Sequence, residues 1–102
     1  MAVPADEDLL RAAAAADRGP WTKAGRALQK KFSRPGSAFP AVTGPPETYN
    51  TNGQVMVRSI LDDPARSIRI RHHALYGIEI LDHSGRDIRY DDRGEFLGFL
   101  EP

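Results

Sequence analysis

Apolar and polar residues follow two different periods along this chain. Between residues 21 and 33 apolar side chains recur about every 3.6 residues, which predicts an amphipathic helix. The apolar side of that helix holds Trp21, Ala24, Gly25, Leu28 and Phe32. From residue 67 onward apolar and polar residues alternate one by one, which is the pattern of half-exposed β-strands. The sequence therefore predicts helices first and strands afterwards.

A second helix is predicted before the strands begin. Thr51–Gln54 fits the capping-box pattern S/T-x-x-E/Q, so we expect that helix to start there and to end at Asp62–Pro64. The segment before it, residues 35–46, carries four of the eight prolines and is predicted to be an extended loop. Residues 1–20 are alanine-rich and offer few large side chains to bury, so we interpret them as a lead-in helix or linker and residues 21–102 as the domain.

Four strands follow at short spacing. Short connections rich in Gly and Asp pair consecutive strands antiparallel. The predicted fold class is therefore α+β, with N-terminal helices packed on one face of a four-stranded antiparallel β-meander. The predicted strands are Ser67–His72, Tyr76–Leu81, Asp87–Asp91 and Glu95–Leu100.

Composition excludes several classes of site. The chain of 102 residues has no cysteine, which excludes disulfides, thiolate nucleophiles and cysteine-based metal sites. Its apolar runs are far shorter than the roughly 18 residues that cross a bilayer, so we expect no membrane insertion. The N-terminal residues lack the pattern of a secretory signal. Fourteen Lys and Arg offset fourteen Asp and Glu, which excludes a generally basic coat but not a local basic patch.

Charge is balanced over the whole chain but unevenly distributed along it. Residues 18–34 contain six basic residues and no acidic one, whereas residues 82–101 contain six acidic residues and three arginines. Because an ordinary solvated helix face mixes charges of both signs, an acid-free stripe favours a bound polyanion. A solvated face without a ligand is the alternative interpretation. The stripe on the polar side of the first helix consists of Lys23, Arg26, Lys30 and Arg34.

A second group of cations lies on the first predicted strand. Alternation places Ile68 and Ile70 on one face and Arg69, Arg71 and His73 on the other. Arginine suits bidentate phosphate contacts, and histidine transfers protons near neutral pH. RNA carries its own nucleophile, the 2′-OH, so cleavage needs only a base, an acid and cations for the developing charge. A polar strand that merely faces solvent is the alternative.

Other chemistries are poorly supported. Adjacent strand residues point to opposite faces, so His72 and His73 cannot easily chelate one metal ion. Helix-end and turn chemistry explains the acidic pairs Asp62–Asp63 and Asp91–Asp92. Tyr90 shares a face with Ile88, which is more typical of a core residue than of a catalytic one. We therefore expect no metal and no cofactor.

Several segments in combination resemble a known toxin family. The chain is similar to the C-terminal ribonuclease domains of bacterial polymorphic and contact-dependent growth inhibition toxins, within the barnase–EndoU–colicin–RelE fold group. The resemblance covers roughly residues 21–102. The segments that carry it are Gly25–Lys30, Arg34–Pro40, Asn52–Gln54 leading into Ile60–Pro64, Gly85–Tyr90 and Gly94–Pro102.

The resemblance implies a metal-independent endoribonuclease, commonly directed at tRNA, that needs no cofactor. It implies secretion as the C-terminal part of a larger effector, action in the target-cell cytoplasm, and a monomer except when bound to a cognate immunity protein. Many such nucleases have a clearly positive net charge, whereas the formal net charge of this chain is zero. The alternative function is a non-catalytic RNA- or protein-binding module of a larger secreted effector.

The resemblance also implies roles for individual residues. Acid and base would be His73 or His72, while Arg71 and Arg89 would stabilise transition-state charge, with Tyr90 or Ser37 assisting. The residues that would bind RNA phosphates are Lys23, Arg26, Lys30, Lys31, Arg34, Ser37 and Arg69.

Overall fold

Three helices and four strands make up the described part of the chain, residues 3–32, 36–39, 41–70 and 77–101 of a computed structural model. The strands form one sheet in the order β1-β2-β3-β4, each antiparallel to the next. The predicted α+β class and β-meander are confirmed. The elements are α1 (Asp6–Ala13), α2 (Lys23–Phe32), α3 (Pro46–Asp62), β1 (Ser67–Ile70), β2 (Ile78–Leu81), β3 (Asp87–Tyr90) and β4 (Phe96–Leu100).

One face of the sheet forms the hydrophobic core together with the helices. Its two buried cross-strand rows are Ile80, Ile88 and Phe99, and Ile78, Tyr90 and Phe96. The largest helical contributions to the same cluster come from Leu9, Leu28, Val57 and Ile60. β1 lies at the edge of the sheet, and all four of its residues are exposed, including Ile68 and Ile70. The apolar face predicted for the first strand is therefore only partly covered.

Helix α3 begins earlier than predicted. It starts at Pro46, where proline fits because the first helical turn needs no intrahelical N–H donor and favours the proline φ angle. Thr51–Gln54 consequently lies inside the helix, and the Gln54 amide donates to the Leu10 carbonyl at 2.8 Å. The predicted start at Thr51 is wrong because the pattern S/T-x-x-E/Q also occurs within helices. The predicted end at Asp62 is confirmed.

Helix α1 packs against the rest of the molecule. Its buried residues Leu9, Leu10 and Ala13 belong to the core cluster. The Asp6 carboxylate accepts a hydrogen bond from Arg66 at 3.0 Å, which connects the start of α1 to the residue before β1. The division at residue 20 between a lead-in and a domain stays an interpretation, but α1 shares one core with the later elements.

The described helices include none that is both long enough and apolar enough to cross a membrane.

Candidate functional site: a cationic groove between α2 and β4

Close packing against α3 fixes the position of α2. The Thr22 hydroxyl accepts a hydrogen bond from the Gly25 amide at 3.0 Å and so caps the start of α2. The Thr22 amide and hydroxyl donate to the Asn50 side-chain oxygen on α3, at 3.0 and 3.1 Å. Gly53 allows the two backbones to approach, since a Cβ at this position would lie 2.7 Å from the Ala24 carbonyl carbon. The face that α2 presents is therefore set by contacts with α3.

The polar face of α2 forms one wall of a cavity of about 360 Å³. The opposite wall and the floor come from β4 and from Arg89 of β3. The predicted stripe on α2 and one arginine of the meander therefore meet around a single space. The basic residues that line the cavity are Lys23, Arg26, Lys30, Lys31 and Arg89. The apolar and glycine residues of the lining are Ala27, Phe96, Leu97, Gly98 and Phe99, and the lining also includes the acidic Asp17.

A β-bulge shapes the floor of this groove. Arg89 pairs with Gly98, but the next residue of β3, Tyr90, pairs with Phe96, so Leu97 is an extra residue on β4. Gly98 has a φ of 153°, which side-chain-bearing residues rarely adopt, and no atom lies within 4 Å of a Cβ built there. The strand therefore leaves open space beside Arg89, on the side facing α2.

Arg89 belongs to a row of charged residues across the second face of the sheet. The register aligns Arg69 of β1 with Glu79 of β2 and Glu79 with Arg89 of β3. Glu79 is only 3% exposed, and one of its carboxylate oxygens lies 4.0 Å from the Arg69 guanidinium. Because neighbouring strands are about 4.8 Å apart, Arg69 lies roughly 10 Å from Arg89 on the same face. Arg69 does not line the groove but extends its charged surface toward β1.

An acidic residue that the sequence analysis did not single out also lines the groove. The Asp17 carboxylate lies 3.5 Å from the Arg26 guanidinium, so it orients one of the groove cations. Asp17 lies immediately before the acid-free stretch of residues 18–34, so the local sequence pattern does not place it beside the cations of α2. The isolated bridge between Ala16 and Thr22 holds this acid beside the start of α2.

Two predicted site residues lie elsewhere. Tyr90 is completely buried, its hydroxyl donates to the Leu9 carbonyl at 2.9 Å, and burial raises its pKa. The structure thus places Tyr90 in the core and not at the groove. The Ser37 hydroxyl accepts a hydrogen bond from the Phe39 amide at 3.2 Å, and Ser37 does not line the groove. The remaining predicted residues, Arg34, Arg71, His72 and His73, lie outside the described residues.

Acidic side chains at the β2–β3 and β3–β4 turns are engaged in local hydrogen bonds. Burial raises the pKa of Asp82, but hydrogen bonds from Ser84 and Arg86 lower it by more. The net result is a pKa below the usual value of an aspartate. Asp91 accepts hydrogen bonds from the backbone amides of Arg93 and Glu95, which lower its pKa more than burial raises it. Among residues 3–32, 36–39, 41–70 and 77–101, no three His, Asp or Glu side chains cluster as metal ligands would. These acids therefore serve turns and ion pairs.

Comparison with known proteins decides the family. A family model described as the CdiA C-terminal tRNase toxin domain matches residues 10–101. The chain belongs to this family. A search of curated protein sequences gives no match. Among solved structures, the toxic C-terminal tip of CdiA from Pseudomonas aeruginosa, determined in complex with an immune protein, matches with a TM-score of 0.71 and 23% identity. The match covers 87% of this chain and 98% of that one, which shows a common fold.

Membership in the tRNase toxin family confirms the resemblance inferred from the sequence and makes the chain a tRNA-cleaving toxin domain, an endoribonuclease. The family is defined as the C-terminal domain of CdiA, so the domain is part of a larger secreted effector. The family match begins at residue 10, within α1. The substrate that the family name gives, tRNA, is a polyanion.

Proposed function

We propose that the groove between α2 and β4 binds tRNA and is where the chain cuts it. The observation that carries this proposal is the meeting of four α2 cations with Arg89 around one cavity. Lys23 and Arg26 come from successive turns of α2 and can contact successive phosphates. Arg89 approaches from the sheet, so a phosphate in the groove would have cations on two sides.

The proposed reaction is a metal-independent transesterification. A base takes the proton of the RNA 2′-OH, whose oxygen attacks the adjacent phosphorus, and the bond from phosphorus to the 5′ oxygen breaks. An acid protonates the departing 5′ oxygen, which leaves a 2′,3′-cyclic phosphate on one product and a 5′-OH on the other. Arg89 would stabilise the charge that develops on the phosphoryl oxygens. In the proposal His73 or His72 keeps the acid and base role, and Arg71 shares with Arg89 the stabilisation of transition-state charge.

The test is cleavage of purified tRNA with and without EDTA. We expect the same rate in both, with cyclic phosphate and 5′-OH ends.

Lys23→Gln should weaken tRNA binding and reduce the salt dependence of log K by about 0.7 to 0.9, the contribution of one phosphate contact. Arg89→Gln should lower kcat by about 100-fold, because it removes a group that stabilises the transition state.

The matched control is Arg58→Gln. Arg58 is an exposed cation on α3 that does not line the groove, so its loss should leave both the rate and the salt dependence unchanged. Thermal unfolding of each variant checks that the fold is intact. A reaction abolished by EDTA, or equal losses for Arg58→Gln and Arg89→Gln, would contradict the proposal. Salt-dependent binding without strand scission would favour the non-catalytic module.

We also propose that a cognate immunity protein neutralises this chain in the target-cell cytoplasm. The support is the similar CdiA toxin tip, which was determined with an immune protein bound. Expression of the chain in bacteria should arrest growth, and co-expression of the gene that lies beside its own should restore it. Continued arrest with that gene expressed, and no complex between the two purified proteins, would count against the partner.

A further inference from the structure

Leu97 differs from the other apolar residues that line the groove. Phe96 and Phe99, on either side of it in β4, are 4% and 2% exposed, whereas Leu97 is 45% exposed. As the extra residue of the bulge, Leu97 has its side chain re-aimed relative to a regular strand. Gly98 follows it with no side chain to cover it. The bulge therefore presents an exposed apolar side chain in the groove, opposite the cations of α2.

We propose that Leu97 contacts the base of an unpaired nucleotide while the cations of α2 and Arg89 hold its phosphate. This inference rests on the proposed function and specifies the substrate that the groove takes. Nucleotides combine an anionic phosphate with an apolar base face, and the groove offers both kinds of surface side by side. Phosphate contacts alone carry no sequence information, so Leu97 is the groove residue that would contact the base itself.

The geometry favours unpaired over paired RNA. In an A-form duplex the bases are stacked, and the deep major groove keeps side chains from reading them. A base can lie against Leu97 only if it has left its stack, and that is least costly in a loop or at a single-stranded end. The substrate class is therefore an unpaired segment of tRNA. Leu97 is a positioning residue that orients the nucleotide for the groove cations.

The experiment measures cleavage of an unpaired tRNA-derived oligonucleotide by the whole chain, with the same oligonucleotide annealed to its complement for comparison. Leu97→Ala should raise KM for the unpaired RNA about tenfold, the effect of losing contact with a few methyl or methylene groups, with little change in kcat. The salt dependence of binding should stay as in the wild type, since no charge is removed. Leu97→Phe should restore KM, because an aromatic ring also packs against a base.

The control variant is Val55→Ala. Val55 is a 61% exposed apolar residue on α3 that does not line the groove, so its truncation should leave KM unchanged. Substrates with a single abasic nucleotide identify the base concerned. In the wild type, removing the base that contacts Leu97 should raise KM more than removing any other base. In Leu97→Ala, removing that same base should raise KM no more than removing the others, and this difference measures the coupling between Leu97 and the base.

An unchanged KM for Leu97→Ala, or equal cleavage of paired and unpaired RNA, would overturn the inference while leaving the proposed ribonuclease intact. If the wild type cuts neither of these RNAs and does not cut intact tRNA, the proposed function fails. The Kd of wild type and Leu97→Ala for the unpaired oligonucleotide, measured by fluorescence anisotropy, then decides the role of Leu97. Equal Kd values would reject it, and about tenfold weaker binding by the variant would support it.

Discussion

At the scale of single residues, the Tyr90 hydroxyl connects the sheet to the first helix. It donates to the Leu9 carbonyl across 81 residues of sequence, and both residues are almost completely buried. The ring of Tyr90 also packs edge-on against Phe96, with centroids 5.4 Å apart. Burial raises the pKa of the hydroxyl, which keeps it protonated as a hydrogen-bond donor. These contacts give Tyr90 a structural role.

Tyr90→Phe should lower the free energy of unfolding by about 1 to 3 kcal/mol, because the buried Leu9 carbonyl loses its partner. Its initial rate of tRNA cleavage should equal that of the wild type, since the hydroxyl does not reach the groove. Urea denaturation and initial-rate assays measure the two effects. A large loss of rate in a variant that remains folded would return Tyr90 to the catalytic residues.

A second residue-scale contact joins the end of α3 to the β2–β3 turn. The His83 amide and ring nitrogen lie 2.9 and 2.7 Å from one oxygen of Asp63. Hydrogen bonds from the His83 backbone and ring, and from the Ala65 amide, lower the pKa of Asp63 from 3.8 to about 2. The same side-chain hydrogen bond, together with the Asp63 charge, raises the pKa of His83 above 6.5.

These shifts predict the pH dependence of stability. The His83 contribution is fully present below its unfolded pKa of 6.5 and is lost as pH rises through the higher folded value. The Asp63 contribution is present above its unfolded pKa of 3.8 and is lost as pH falls toward about 2. The contact therefore stabilises most between about pH 4 and 6.5.

His83→Gln should lower Tm most within that window and progressively less as pH rises above it. Thermal unfolding of wild type and variant in parallel buffers from pH 3 to 9 gives the difference. Ser59→Ala, an exposed residue on α3, is the control and should show no pH-dependent difference. A Tm difference that is constant over the whole range would show that the imidazole charge is irrelevant.

At the scale of elements, the packing of α2 on α3 sets the width of the groove. Two helices approach closely where one of them has a glycine, and here Gly53 of α3 faces Ala24 while Gly25 of α2 faces Asn50. The Asn50 amide also donates to the Pro20 carbonyl at 2.8 Å, so the chain entering α2 is held at the same point. A displacement of α3 would therefore move the wall that carries Lys23 and Arg26.

Gly53→Ala should destabilise the protein by about 1 to 3 kcal/mol, despite the better helix propensity of alanine, because the new Cβ meets backbone atoms of Ala24. Urea denaturation measures the change. Thr51→Ala, at an exposed site of the same helix, should be close to neutral. If Gly53→Ala were instead at least as stable as the wild type, α2 and α3 could move apart without a loss in the free energy of unfolding, and the close contact would not be required.

At the scale of the whole molecule, α1 completes the core that the later elements build. Leu9 and Leu10 are buried, and the Leu9 and Leu10 carbonyls accept hydrogen bonds from Tyr90 and Gln54. A domain of about 100 residues has little stability to spare, so losing one element of the core is serious. This bears on whether residues 21–102 can fold without residues 1–20.

Deletion of residues 1–20 should leave a chain that is unfolded at physiological temperature and shows no cooperative thermal transition. Deletion of residues 1–3, which ends before α1, should leave Tm nearly unchanged and is the control. Circular dichroism melting curves decide between them. A shortened chain that still unfolds cooperatively near the wild-type Tm would establish residues 21–102 as an independent domain.

The sequence by itself determined the element types and the strand order. The 3.6-residue period of residues 21–33 and the alternation after residue 67 are local signals, and short turns leave consecutive strands no partner but each other. The cations of α2 could be predicted for the same reason, since helical spacing alone places Lys23, Arg26 and Lys30 on one face. The family resemblance rested on segments of this kind and was confirmed by the match to residues 10–101.

Only the tertiary structure decided what stands opposite those cations. The α2 stripe faces Arg89 because α2 packs beside β4, and no local pattern encodes a contact between residues so far apart in sequence. The Leu97 bulge depends on a register shift between two strands, which alternation along one strand cannot reveal. Asp17 joins the groove through the bridge of Ala16 to Thr22. Periodicity fixes which face a side chain takes, whereas long-range packing fixes what that face meets.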